Sequence, residues 1–237
     1  MSLDLGKDFV MTAEFLQPWS TFVMKTVLPP IVLEKMIKIT DDVIVNEKNK
    51  GNVDWKESGS KQINDEFSVE PSILERENII GFFLEAVRHF VIQQTLQVNP
   101  YEEDRKNILD DEWYTQMKDM WIVSQKDNEY QPIHMHPNAP VGAVMYLKIP
   151  DFLPSRNPTR NEDGTITFIN NVGNDPVWGT SFMTLHPEEG DFFIFPSSQL
   201  HLVYPFRTVD GVGERRSVSF NALFSSKTKQ EQISREI

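Results

Sequence analysis

The chain has 237 residues, 39% of them hydrophobic and 24% charged, and a formal net charge of −12 from 23 basic and 35 acidic side chains. That length suits one well-packed domain, and the acidic balance without a clustered basic face argues against nucleic acid as a partner. No apolar run is long enough to span a membrane, and zero cysteines exclude disulfides, cysteine-type zinc sites and a thiol nucleophile, as suits a cytoplasmic protein.

The N-terminal "MSLDLGKDFVMTAEF" does not read as a signal peptide. "STFVMKTVLPP" predicts a strand stopped by two prolines, and "IVLEKMIKITDDVIVNEK" has apolar residues at helical spacing. Residues 49–66 are polar and glycine-containing and are expected to form a loop. "PSILERENIIGFFLEAVRHFVIQQTLQV" predicts one long helix, with Ser72 as its cap and Glu75 completing a capping box. From about residue 112 the pattern changes to short strands: "DMWIVSQK", "VGAVMYLKIP", "GTITFINN", "GDFFIFPSS" and "RRSVSFNALF". Helices followed by regular short strands imply an antiparallel sandwich or barrel with helices on one outer face. Residues 151–180 form the longest loop-rich stretch of this half, and the alternating charges of "SSKTKQEQISREI" suit a solvated tail. The expected layout is a single domain, 1–237, with a helical and mixed support region at 1–111, a β core at 112–225 and a tail at 226–237.

Two of the five histidines lie in "QPIHMHPNAPVG". On a strand, His134 and His136 project to one side, where two imidazoles gain little from each other but can share a divalent metal ion. The same spacing also occurs in exposed polar loops. His201 follows an apolar strand and Pro-Ser-Ser, a setting that suits either a ligand or a core-edge histidine bonded to backbone. His89, on the long helix, and His186, before Pro-Glu-Glu, read as structural. In "GERRSVSFNALF" strand alternation puts Arg215, Ser217, Ser219 and Asn221 on one face, and Arg216, Val218, Phe220 and Ala222 on the other. The first face is small and polar and lines something wet or ligand-filled. Its guanidinium needs an anion, either a small-molecule carboxylate or a structural ion pair. Arg216 is expected outside, near the sheet edge.

The ordered set "WIVSQ…HMHPNAPVGAVMYLKIP…GTITF…LHPEEGDFFIFPSSQLHLVYPF…GERRSVSFN", over roughly residues 112–223, resembles the 2-oxoglutarate/Fe(II) oxygenases of marine bacteria and their phages. These belong to the double-stranded β-helix dioxygenases that include prolyl hydroxylases. The resemblance implies a mainly β fold with some α: a double-stranded β-helix (jelly-roll, cupin-like) core with N-terminal helices packed on one sheet. It implies that His134, His136 and His201 bind Fe(II), that Arg215 and Ser217 hold the distal carboxylate of the cosubstrate 2-oxoglutarate, and that Tyr146 is a further cosubstrate contact. Most of the superfamily has Asp or Glu where this chain, like the closer family it resembles, has His136, so the iron would be bound with one less negative charge.

The activity implied is hydroxylation of a small molecule or a protein side chain, using O2 and releasing succinate and CO2, in the cytoplasm (the host's, if phage-encoded). Two other readings stay open. One is a cupin-like metal-binding protein or three-histidine dioxygenase that does not use 2-oxoglutarate; the other is a non-catalytic phage or structural protein that kept the fold.

Overall fold

In the computed structural model the described residues are 2–4, 10–16, 21–46, 63, 65–99, 101–137, 139–155, 157, 159, 161–170 and 181–228. Three strands open the chain: β1 (Ser2–Asp4), β2 (Val10–Leu16) and β3 (Val23–Val27). Only β3 is anticipated by the sequence pattern. Helix α1 (Pro30–Val45) begins with proline in its first turn, where the missing N–H has no intrahelical partner to lose. Most of the expected loop at 49–66 lies outside the described residues, which resume fully with β4 (Glu66–Val69).

The single long helix expected from residue 71 onward is two helices, α2 (Ser72–Arg76) and α3 (Ile80–Val98). Asn78 breaks it by adopting a left-handed φ of 54°, which asparagine tolerates better than most residues. The Ile79 amide then donates to the Leu74 carbonyl and the Asn78 amide to that of Glu75, the pair of bonds that closes a Schellman motif. Ser72 does not cap: it lies in the first turn after Pro71, and no side-chain capping bond is made. A short acidic helix, α4 (Glu102–Asp110), follows.

The remaining strands are β5 (Trp113–Gln125), β6 (Gln131–His134), β7 (Val141–Lys148), β8 (Ile166–Ile169), β9 (Phe182–Leu185), β10 (Asp191–Pro196), β11 (His201–Val203) and β12 (Arg215–Ser226). They fall into two antiparallel sheets, ordered β1-β2-β3-β10-β7-β12-β5-β4 and β6-β11-β8-β9. From β5 to β12 the chain passes repeatedly between the sheets, and only β8 and β9 are consecutive in one sheet. Residues 171–180 of the loop-rich stretch, and the tail beyond 228, lie outside the described residues.

Strand alternation explains the layers. Val144 and Tyr146 of β7 and Phe193 and Phe195 of β10 face the small sheet, packing with Ile166, Phe168 and Val203. Their neighbours Met145, Leu147, Phe192 and Ile194 face the other way, onto α1 and α3. There Phe83 meets both Phe192 and Phe220 edge to face, with ring centroids 5.7 and 5.9 Å apart. The helices therefore cover one face of the large sheet, and the small sheet covers the other. No described helix is long and apolar enough to cross a membrane.

Candidate metal centre

His134, His136 and His201 converge between the sheets, each offering a ring nitrogen within 4.8 Å of the others. His134 ends β6 and His201 begins β11, and the two are paired across the strands. His136 lies past the end of β6, so the shared strand face expected for the His-x-His pair is only half the explanation. The His136 amide donates to the Ser197 carbonyl at 2.9 Å, which carries its ring back to the cluster.

Hydrogen bonds decide which nitrogen each ring offers. His134 Nδ1 lies 2.8 Å from the Pro132 carbonyl and His201 Nδ1 lies 2.9 Å from that of Gln199. A carbonyl oxygen can only accept, so Nδ1 carries the proton in both rings and Nε2 keeps its lone pair. His136 Nδ1 lies 2.9 Å from Asn221 Oδ1, with the same consequence. Burial pushes all three imidazoles down, His136 to about 4 with His134 adding to the fall. They are therefore neutral at pH 7, the state in which imidazole binds a metal ion. Three neutral nitrogen donors suit a first-row divalent ion.

His186 is exposed and stands apart from the cluster, and His89 is buried on α3.

The cavity in front of the histidines is also lined by Trp121, Tyr146, Ser217 and Ser219. Tyr146 is fully buried, and desolvation raises its phenol to about 12. Arg215 stands behind it, 2% exposed, with its guanidinium 5.6 Å from the Tyr146 ring centroid and 5.7 Å from that of Phe206. It donates to the Gly164 carbonyl at 2.6 Å and to Gln125 Oε1, while its Nε has no partner. Among the described residues no carboxylate pairs with it, and desolvation lowers its pKa.

Arg216 departs from expectation. Because β12 lies between β7 and β5, this side chain is not near a sheet edge but 4% exposed beneath α1. It pairs with Asp41 at 2.6 Å and Glu214 at 2.8 Å.

Asn221 and Gln125, which bond to His136 and Arg215, and Gly142, where an added Cβ would meet the His136 ring, carry no role that local pattern alone assigns. A glycine inside the apolar run "VGAVMYLKIP" is the signal that was available, since glycine in a strand marks close approach.

With this geometry in view, the comparisons with known proteins bear on the fold. Residues 119–221 match the family model described as "Putative 2OG-Fe(II) oxygenase". No curated protein matches the chain. A prolyl-4-hydroxylase from Pseudomonas putida is similar over 84% of this chain and 91% of its own, at 14% identity and a TM-score of 0.50. The fold is the double-stranded β-helix. A viral collagen prolyl hydroxylase from Paramecium Bursaria Chlorella virus-1, solved as a 2OG complex, aligns over 84% of this chain and 94% of its own, at 14% identity and a TM-score of 0.46. An oxidoreductase of the 2OG-Fe(II) oxygenase family from Burkholderia pseudomallei aligns over 62% of this chain but only 57% of its own, at 13% identity and a TM-score of 0.37. This chain thus spans little more than half the length of the Burkholderia protein.

In a double-stranded β-helix built this way, the histidines and the polar face of β12 point into the same space between the sheets.

Proposed function

We propose that the chain is an Fe(II)- and 2-oxoglutarate-dependent dioxygenase that hydroxylates a small molecule or a protein side chain. The reading is carried by Arg215, a guanidinium buried in the same barrel as three convergent imidazoles and without a carboxylate among the described residues. A buried charge without a counter-ion is costly, so the site is built for an anion that arrives from outside.

His134, His136 and His201 would hold the metal through Nε2, their protons tied away on Pro132, Asn221 and Gln199. Arg215 would take one carboxylate of 2-oxoglutarate, with Ser217 and Tyr146 offering hydroxyls from the cavity wall. The apolar wall of Val144, Ile166 and Val203 limits water around that charge, which strengthens the contact. When bound, Fe(II), 2-oxoglutarate and O2 would supply the oxidising chemistry, with one oxygen atom of O2 going to succinate, CO2 released, and the other going to the hydroxylated product.

A three-histidine dioxygenase that does not use 2-oxoglutarate is favoured by one observation, the histidine at position 136 in place of a carboxylate. It leaves the buried guanidinium of Arg215 without a purpose.

Titration of 2-oxoglutarate into the Mn(II) form, and succinate formation by the Fe(II) form with and without air, test the assignment. Saturable binding, with succinate formed only under air, is expected. Failure of 2-oxoglutarate to bind the metal-loaded protein would overturn the reading.

A further inference from the structure

We propose that Asn221 and Gly142 form a seat that fixes His136 as the third metal ligand; this rests on the metal centre proposed above. The three histidines are not held alike. His134 and His201 donate Nδ1–H hydrogen bonds to backbone carbonyls two residues earlier, contacts that no side-chain substitution deletes directly. His136 donates its Nδ1–H hydrogen bond to a side chain 85 residues away, the amide oxygen of Asn221. His136 and Asn221 are both buried, at 5% and 7% exposure, so neither the Nδ1 proton nor the amide oxygen can turn readily to bulk water.

Gly142 completes the arrangement. It is the cross-strand partner of Asn221 between β7 and β12, so the two positions lie side by side beneath the imidazole. A Cβ at residue 142 would stand 2.9 Å from His136 Nδ1 and 3.0 Å from Phe195 Cε2. The bare backbone there is what leaves room for a ring at His136. Around it stand Trp121 and Phe195, with ring centroids 5.4 and 5.7 Å away.

Asn221 thus accepts the hydrogen bond from Nδ1–H and leaves the Nε2 lone pair for the metal, while Gly142 sets the depth at which the ring sits. Both are positioning residues. The seat also accounts for how this chain accommodates an imidazole at a position where most of the wider superfamily has a carboxylate.

The test has two independent arms. Long-range ¹H–¹⁵N NMR of the metal-free full-length protein reads the His136 tautomer directly, without metal binding or turnover. The Nδ1–H form is expected, and the Nε2–H form would overturn the proposal. In the second arm, Co(II) affinity and the Co(II) absorption bands are measured for the wild type, Asn221→Leu, Asn221→Asp and Gly142→Ala.

Loss of such a supporting contact typically weakens metal binding by about 10–100-fold, which is expected for Asn221→Leu. Asn221→Asp keeps the acceptor and makes the imidazole more basic, so it should bind within about threefold of the wild type or more tightly. A merely structural asparagine would give the opposite order, because a new buried charge without a cationic partner costs more in desolvation than an apolar leucine does. Gly142→Ala should weaken Co(II) binding by about tenfold or more and shift the absorption bands. Wild-type affinity in Asn221→Leu and Gly142→Ala, or weaker binding in Asn221→Asp than in Asn221→Leu, would overturn the seat. A wild type that binds no Co(II) would instead count against the metal centre itself, and the tautomer would still decide whether the seat exists.

Discussion

Arg215 and Arg216 are neighbours in sequence and opposites in environment. Both are almost fully buried, yet Arg216 pairs with two carboxylates on the helix side of the large sheet, whereas Arg215 faces the barrel interior with only neutral acceptors among the described residues. The helix-side arginine has its counter-charges built in and ties β12 to α1. Among the described residues the barrel-side arginine has no counter-charge, although the chain carries 35 acidic side chains, and the proposed function assigns that opening to an anionic cosubstrate. Residue type does not distinguish the two; the face of the strand does.

The largest effect that would break or sharpen this contrast lies at the metal. His134→Ala and His201→Ala should lose bound divalent metal by 100-fold or more in affinity, roughly the ~3 kcal/mol expected when one of three ligands is removed. His186→Ala should keep it. Metal analysis of the purified variants checks this, and equal loss from all three would dissolve the cluster as a site. Next comes the arginine contrast itself. Arg215→Ala should weaken 2-oxoglutarate binding to the Mn(II) form on the order of thirtyfold or more, since losing a desolvated carboxylate contact costs ~2–5 kcal/mol. Arg216→Ala should change that binding by less than about threefold.

Stability should show the reverse order. Arg216→Ala removes hydrogen bonds to Asp41, Glu214 and Thr40 and should cost about 1.5–3 kcal/mol in urea unfolding. In Arg215→Ala the loss of contacts is offset by relief of a desolvated charge, so its cost should be smaller. If Arg215→Ala proves the more destabilising of the two, the claim that its charge is held open for a ligand fails.

The smallest effect concerns Glu66, on the edge strand β4. Burial raises its carboxyl to about 7, with Glu129 adding to the rise and a hydrogen bond from Gln131 opposing it. A folded value above the unfolded one means that the folded state holds this proton more tightly. The associated stability is present below about pH 4.5 and is lost as pH rises through about 7. Glu66→Gln should therefore be more stable than the wild type at pH 8, by about 1–2 kcal/mol, with the difference shrinking towards pH 4.5. Urea midpoints measured across that range check it.

Much of this molecule was determined by local sequence pattern. The strands from β5 onward carry β-branched and aromatic residues between turn residues, and the period of two in "RRSVSFNALF" assigns the inner and outer faces of β12 correctly. The His-x-His pair and His201 are legible as candidates for the same reason, because imidazoles are few and their settings unusual. Local pattern failed where a single residue's backbone preference overrode helical periodicity. The apolar stripe from Ser72 to Val98 does not reveal that Asn78 turns left-handed and divides it.

The rest was decided only in three dimensions. Burial of Arg216 follows from β12 being an interior strand whose Arg216 end meets Thr40 and Asp41 of α1, and strand order is a property of long-range pairing that no local window contains. The bond from Asn221 to His136 joins residues 85 positions apart, and the space left by Gly142 has meaning only once β7 and β12 lie side by side. Side-chain identity and alternation are written locally, but the partner that satisfies a buried proton or charge is chosen by which distant strands the fold brings together.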